Sequence, residues 1–162
     1  MNGTAPVLVL GWPRQGRIEG GTLKLLGEAR RIASCIIPAR TVEVALFVSP
    51  DDSEQALKDL GHVLGERIHL VVHSALSSYG TEPWLEALTE LFLHVRPGIL
   101  LIGATSEGRD LAPRHDSEWG TGLIVSPLEK PEREALRSSV FRIGDGFMCS
   151  QRSPWSDRCS LQ

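Results

Sequence analysis

At 162 residues the chain suits one domain with a sizeable core, and 41% hydrophobic with 23% charged residues is the composition of a globular protein. A formal net charge of −3 leaves no basic footprint for nucleic acid, and no apolar run is long enough to span a bilayer. Three cysteines, Cys35, Cys149 and Cys159, are odd in number and lack metal-ligand spacing, which argues against a disulfide framework. The start, Met-Asn-Gly-Thr-Ala-Pro, carries neither a charged leader nor an Arg-rich one, so a cytoplasmic bacterial or archaeal setting is expected.

The elements alternate along the chain. Val7 to Gly11 is a short apolar run suited to a strand buried on both faces. A Gly-rich loop follows, then a helix over 22–36 with Leu23, Leu26, Ala29, Ile32 or Ala33, and Ile36 on one face. Thr22 is its expected N-cap, Pro38 its stop, and Cys35 a small buried hydrophobe on its inner side. The second strand is Val42 to Val48. Asp51, Asp52 or Ser53 then caps a helix carrying Ala56, Leu57, Leu60, Val63 and Leu64. The third strand covers 68–72. Thr81 opens a helix with Glu82 and Pro83 in its first turn and Trp84, Ala87 or Leu88, Leu91 and Val95 inward. A fourth strand at 99–102, a polar helix at about 106–118 and a fifth strand at 123–125 complete a βαβαβαβαβ pattern. Such a pattern implies a parallel sheet with right-handed crossovers. A hairpin is expected around Gly144-Asp145-Gly146, from 140–143 and 146–149, and 150–162 reads as an irregular tail.

The fourth strand ends in Gly103-Ala104-Thr105-Ser106 and feeds a helix. Open α/β sheets place ligands beyond the carboxyl ends of their strands, and freed N–H groups at a helix start favour an anion. Gly103, Thr105, Ser106 and Arg109 are therefore candidate cofactor-binding residues, with the hydroxyls and guanidinium joining the backbone donors. The competing reading makes Thr105 or Ser106 a helix cap and Arg109 and Asp110 local ion pairs. Glu107 suits that second reading and repels an anion. Pro113 is expected to split the helix, leaving 109–111 as an irregular first turn. The five histidines, His62, His69, His73, His94 and His115, show no metal-ligand spacing, and no carboxylate can be named as a partner of His69 or His73. Trp12, Trp84, Trp119 and Trp155 read as packing residues, with Trp12 partly exposed. No catalytic constellation is legible.

The wording of the loop is more specific than its geometry. Gly-Ala-Thr-Ser-x-Gly-Arg-Asp-Leu-Ala-Pro-Arg followed by Gly-Thr-Gly-Leu resembles the α subunit of electron transfer flavoproteins. Val7-Leu8-Val9-Leu10, the helical segment 22–33 and 97–103 resemble the same family in the same order, so residues 6–149 can be laid on its N-terminal domain. The resemblance implies a three-layer α/β/α fold, flavodoxin-like or adenine-nucleotide-hydrolase-like, with a parallel sheet of about five strands. In that family this layer is structurally similar to the β subunit, and a C-terminal domain holds FAD. Electrons arrive from acyl-CoA and related dehydrogenases, and AMP lies in the β subunit.

The segments that hold FAD in the family have no counterpart here, so this domain is expected to bind no cofactor alone. The expected role is a non-catalytic, truncated α-subunit-like part that packs on a β-like subunit. A separate FAD domain or a dehydrogenase is a further expected partner. The alternative is a stand-alone domain binding AMP or FAD. The domain is expected over 1–149. After Arg114 the family's small apolar residues are replaced by His115-Asp116-Ser117-Glu118-Trp119, which weakens the apolar stripe of that helix.

Overall fold

Strand β1 (Val7–Gly11) is buried along its whole length, as an apolar run flanked on both edges and both faces must be. The computed structural model describes residues 5–14, 17–61, 67–119, 123–126 and 147–151. Strands β2 (Pro13–Arg14) and β3 (Arg17–Ile18) form a small antiparallel pair, and helix α1 (Gly20–Cys35) follows. Strand β4 (Val42–Val48), helix α2 (Ser53–Gly61) and strand β5 (Arg67–Val72) come next. A single 3-10 turn (Ser74–Leu76) leads to helix α3 (Thr81–Val95), strand β6 (Ile99–Gly103) and helix α4 (Ser106–Trp119). Strands β7 (Leu123–Ser126) and β8 (Phe147–Gln151) complete the described elements.

The sheet order is β5-β4-β1-β6-β8-β7, and β5, β4, β1 and β6 run parallel. Strand β8 lies between β6 and β7, antiparallel to both. The hairpin expected at 140–149 therefore appears differently. Its first strand lies outside the described residues, and its second pairs with β6 and β7, which satisfies the hydrogen-bonding groups on both of its edges. The strand also runs past 149 to Gln151, while 152–162 lies outside the described residues.

Two cores result. Val7, Val9, Val44, Leu46, Ile99 and Leu101 point to one face, against Leu25, Leu26, Ala29 and Ile32 of α1 and Ala56 of α2. Leu8, Leu10, Phe47, Leu100 and Ile102 point to the other, against Leu88, Leu91 and Phe92 of α3 and Leu111 and Ala112 of α4. This is the three-layer arrangement that the alternating pattern implies. Each such apolar side chain contributes about 1.5–3 kcal/mol on full burial. Strand alternation places neighbouring residues on opposite faces, so both layers are anchored by the same strands.

Several local expectations change. Helix α1 begins at Gly20, not Thr22; Thr22 is buried inside it and its hydroxyl accepts from the Trp12 backbone N–H at 3.2 Å. Tying down the chain after β1 is worth more to this residue than capping. Cys35 is half-buried rather than buried, because it ends the helix. Leu57 is exposed, and Phe92 takes the inward position on α3 beside Leu88 and Leu91. Leu60 lies in α2 without a described side chain, and residues 62–66 lie outside the described residues.

Helix α4 is continuous through Pro113, contrary to the expected break. The pyrrolidine ring is exposed, and the turn before it is held by the Arg109 N–H on the Thr105 carbonyl at 3.0 Å and by Arg114 on Asp110 at 3.0 Å. These contacts offset the lost hydrogen bond. His115 is fully buried, edge-on to Phe92 with ring centroids 4.8 Å apart, so an imidazole fills the place of an apolar side chain.

Helix α4 approaches β6 through Gly108. A Cβ there would lie 1.9 Å from the Gly103 carbonyl oxygen and 3.1 Å from Ile102 Cγ2. Alanine is the better helix former by about 1 kcal/mol. Gly108→Ala should nevertheless destabilise the fold, by roughly 1–3 kcal/mol from overpacking. Urea denaturation measures this, and equal or greater stability in the variant would refute the close-approach argument.

Candidate functional site

The chain leaves β1 toward β4 on one side and returns to β6 on the other. The direction of winding thus reverses between β1 and β6, where open α/β sheets form a ligand crevice. The residues just beyond these strands are Trp12 after β1, Ser49 after β4, and 104–109 after β6.

Trp12 is only 7% exposed, against the expected partial exposure. Its indole stacks on Trp84 at 4.6 Å and 9°, and Phe47 meets Trp84 edge-on at 5.1 Å. Tyr79 tilts against both indoles. Burial of this aromatic group explains why the Trp-Pro segment is not a surface loop. Trp84 Nε1 donates to the Ser78 carbonyl at 3.1 Å. Trp12 Nε1 is buried with no acceptor among the described residues.

The structure brings Gly103, Thr105 and Ser106 into one turn and places Arg109 one helical turn further on. Thr105 Oγ1 accepts from the Gly108 N–H at 3.1 Å, which makes Thr105 the cap of α4. Ser106 Oγ donates to Glu107 at 2.8 Å. The backbone N–H of Glu107 and then the Ser106 hydroxyl hold the Glu107 carboxyl below the usual carboxylate range. Arg14 reaches across to Glu19 at 2.5 Å and to Glu107 at 3.5 Å, although 65% of its side chain is exposed. Such an exposed bridge is worth about 0–1 kcal/mol. Arg109 is exposed and pairs with no described residue.

A cavity of about 440 Å³ lies over the aromatic group, with Asp52, Glu19, Glu107 and Arg14 on its walls. A smaller one of about 260 Å³ lies between the start of α1 and the turn after β6. Trp12, Glu19 and Thr105 line both.

Asp110 joins three segments. Its Oδ2 accepts from Tyr79 OH and from Thr81 Oγ1, each at 2.7 Å, and its Oδ1 accepts from Arg114 Nε at 3.0 Å. Hydrogen bonds from Thr81, Tyr79 and Arg114 hold its carboxyl at about 2, below the ordinary 3.8. Burial, then Asp110, pushes Tyr79 up to about 12. Asp110 itself raises Arg114. These residues are thus committed to tying α4 to the start of α3.

Two pairings escaped the sequence. His69 Nε2 lies 2.6 Å from Glu43 Oε2 across neighbouring strands, and His73 Nδ1 accepts from the Ala75 N–H at 3.1 Å. Both depend on strand register or on turn geometry, which single-residue spacing does not encode. Among the described residues, no His, Cys, Asp and Glu group could hold a metal ion, and no helix is long and apolar enough to cross a membrane. Trp155 and Cys159 lie outside the described residues, and Trp119 and Cys149 are described only by backbone.

The Asp110 contacts have a pH signature. A carboxyl depressed by folding stabilises the fold above its unfolded value and loses that contribution as pH falls toward its folded value. The stability difference between the native chain and Asp110→Asn should be constant above about pH 5 and shrink from about pH 5 toward pH 2, given 3.8 and about 2 for the two states. Chemical denaturation across this range measures it. A difference that stays constant down to pH 2 would rule out the Asp110 contacts as its source.

The chain matches the electron transfer flavoprotein domain over residues 7–126. It is 33% identical over 156 residues to an electron transfer flavoprotein subunit alpha of Thermoanaerobacterium thermosaccharolyticum, across 95% of this chain and 46% of that protein. It is 34% identical over 141 residues to protein FixB of Rhizobium meliloti, across 83% of this chain and 39% of that one. An acryloyl-CoA reductase electron transfer subunit beta of Anaerotignum propionicum is 28% identical over 112 residues, across 69% of this chain and 29% of its own. The chain therefore spans less than half the length of these relatives. With the layer order and the 103–114 motif already in place, the match over most of its length makes this chain a member of the electron transfer flavoprotein domain family.

Proposed function

We propose that this chain is an α-type structural layer of an electron-transfer complex in the cytoplasm. It packs on a β-like subunit, orients a flavin held by another polypeptide or domain, and performs no catalysis of its own. The observation that carries this reading is the turn after β6. Thr105 Oγ1 accepts the capping bond of α4, Ser106 donates to Glu107, and Glu107 adds a carboxylate to the turn. A carboxylate at this helix start opposes the phosphates of FAD. The relatives whose names describe electron-transfer subunits support the same reading. Mixing the chain with a purified electron transfer flavoprotein β subunit should give a stable heterodimer in sedimentation velocity. Two independent species at micromolar concentration would refute the reading.

One observation favours the alternative of a stand-alone AMP- or FAD-binding domain: Arg109 stands exposed beside the turn. Gly103, Thr105, Ser106 and Arg109 would then form the phosphate side of the site. Under that alternative AMP or FAD binds saturably in a tryptophan-fluorescence titration, and Arg109→Ala lowers the affinity about tenfold, the loss of one charge-assisted hydrogen bond. Unchanged affinity in Arg109→Ala would remove Arg109 from the site.

A further inference from the structure

Helix α3 buries one flank against the sheet and turns another to a groove. The groove holds about 590 Å³ and runs between α3 and the chain that leaves β5. Its floor is apolar, with Val71 of β5, Leu76 of the 3-10 turn, and Ala87 and Leu91 of α3. It shares only Leu76 with the cavity over the aromatic group, so it is separate from the crevice at the carboxyl ends of the strands.

The spacing along α3 suits a second helix. Pro83, Ala87 and Leu91 recur at every fourth residue, which makes a ridge of the kind that packs against another helix. Ala87 on this wall and Ala75 on the opposite one are small, so a helix can approach between them. Glu86 and Glu90 form a parallel outer row, also four residues apart, and both are exposed. Leu93 continues that row beyond Glu90 and is 49% exposed, an apolar side chain at the rim.

Charge selects the partner. On the other helices acids find a cation within one turn: Glu28 pairs with Arg31, Glu54 with Lys58 and Asp110 with Arg114. Glu86 and Glu90 make no ion pair or hydrogen bond among the described residues, and each has the other as a like-charged neighbour one turn away. No lysine or arginine lines the groove. His73 and His94 are its other titratable residues, and His73 Nδ1 is taken by the Ala75 N–H. The groove follows α3 from Pro83 in its first turn to His94 in its last, so the opposite partial charges of the helix ends offset each other along it. The two carboxylates therefore set its sign. Such a surface repels nucleic acid and anionic lipid. It also opposes a second copy of this chain, because a two-fold contact centred on the groove would bring two acidic rows together. The occupant that fits is an amphipathic helix with basic residues beside its apolar stripe.

We propose that the groove between α3 and the turn after β5 docks an amphipathic helix of a partner protein, with its apolar stripe on Ala87 and Leu91 and its lysines or arginines on Glu86 and Glu90. The proposal does not rest on a β-like subunit being that partner, so it can fail while the structural reading stands.

The test is fluorescence anisotropy of a dye-labelled synthetic peptide, leucine and lysine at helical spacing, titrated with the full chain. A counterpart with glutamate in place of lysine is the control. The lysine peptide should bind saturably and the glutamate peptide should not. Glu86→Gln with Glu90→Gln should weaken binding roughly five- to tenfold, the loss of two exposed ion pairs. Glu54→Lys on α2 changes the net charge by the same amount and should leave the affinity unchanged. Ala87→Gln puts a longer side chain on the floor without altering charge and should weaken binding at least fivefold, with the thermal midpoint of the free protein unchanged. Absence of saturable binding, equal binding of the glutamate peptide, unchanged affinity in the double variant, or an equal loss in Glu54→Lys would each overturn the proposal. So would a free chain that sediments as a dimer and becomes a monomer with Ala87→Gln, since a second copy would then cover the groove.

Discussion

The approach of α4 to the end of β6 is the constraint on which the rest of this region depends. Gly108 lies against the Gly103 carbonyl with no room for a Cβ, and Thr105 caps the helix from the same turn. With that contact fixed, the helical repeat carries Leu111, Ala112 and His115 into the core under β6. It also delivers Asp110 to Tyr79 and Thr81 at the start of α3. One steric contact thus determines how two helices share one face of the sheet. Four residues of the Gly-Ala-Thr-Ser-x-Gly-Arg-Asp motif, Gly103, Thr105, Gly108 and Asp110, have packing or capping roles of this kind. Ser106 and Arg109 are the exposed members of the motif.

The carboxyl edge of the sheet is divided accordingly. On the β6 side Thr105 Oγ1 accepts the capping bond from the Gly108 N–H, Ser106 donates to Glu107, and the Arg14 guanidinium ties Glu107 to Glu19. On the β1 side the stacked indoles form an apolar floor, the Trp12 N–H is buried, and Gly21 and Thr22 at the start of α1 line the cavity of about 260 Å³. Sequence patterns that mark a strand-to-helix turn as an anion site do not distinguish these two states. The difference lies in the neighbouring side chains, and a carboxylate such as Glu107 opposes an anion at the helix start.

The layers were legible because burial on both faces leaves continuous apolar runs, and Val7–Gly11, Val42–Val48 and Ile99–Gly103 carry them. The motif that identifies the family was legible because its glycine, threonine and aspartate each meet a specific steric or hydrogen-bonding demand. Long-range pairing was not legible. The insertion of Phe147–Gln151 between β6 and β7 depends on a strand contact that local pattern does not encode. Pro113 inside α4 misled for a related reason, since tertiary contacts on both sides of it outweigh an intrinsic penalty of about 3 kcal/mol. Trp12 reads as exposed because a Trp-Pro step after a strand suggests a loop, while two aromatic side chains distant in sequence, Tyr79 and Trp84, pack against it. The His69–Glu43 pair required the β4–β5 register, which a list of histidine spacings does not contain.

The division of the crevice bears on how such a layer changes role. A domain that only packs against a partner has no use for an unmet buried donor, and selection on stability favours removing it, since an isosteric apolar edge costs less than an orphaned N–H. Trp12 keeps that donor, buried at van der Waals distance from where a Cβ on Gly103 would lie. Thr22, which could have capped α1, instead holds the Trp12 backbone in place from inside the helix, and the helix start carries no side-chain cap. Packing alone accounts for the aromatic stack and for the Thr22 bond. It does not account for a buried N–H without an acceptor among the described residues, and that N–H lies against Gly103, the first residue of the motif that marks the family.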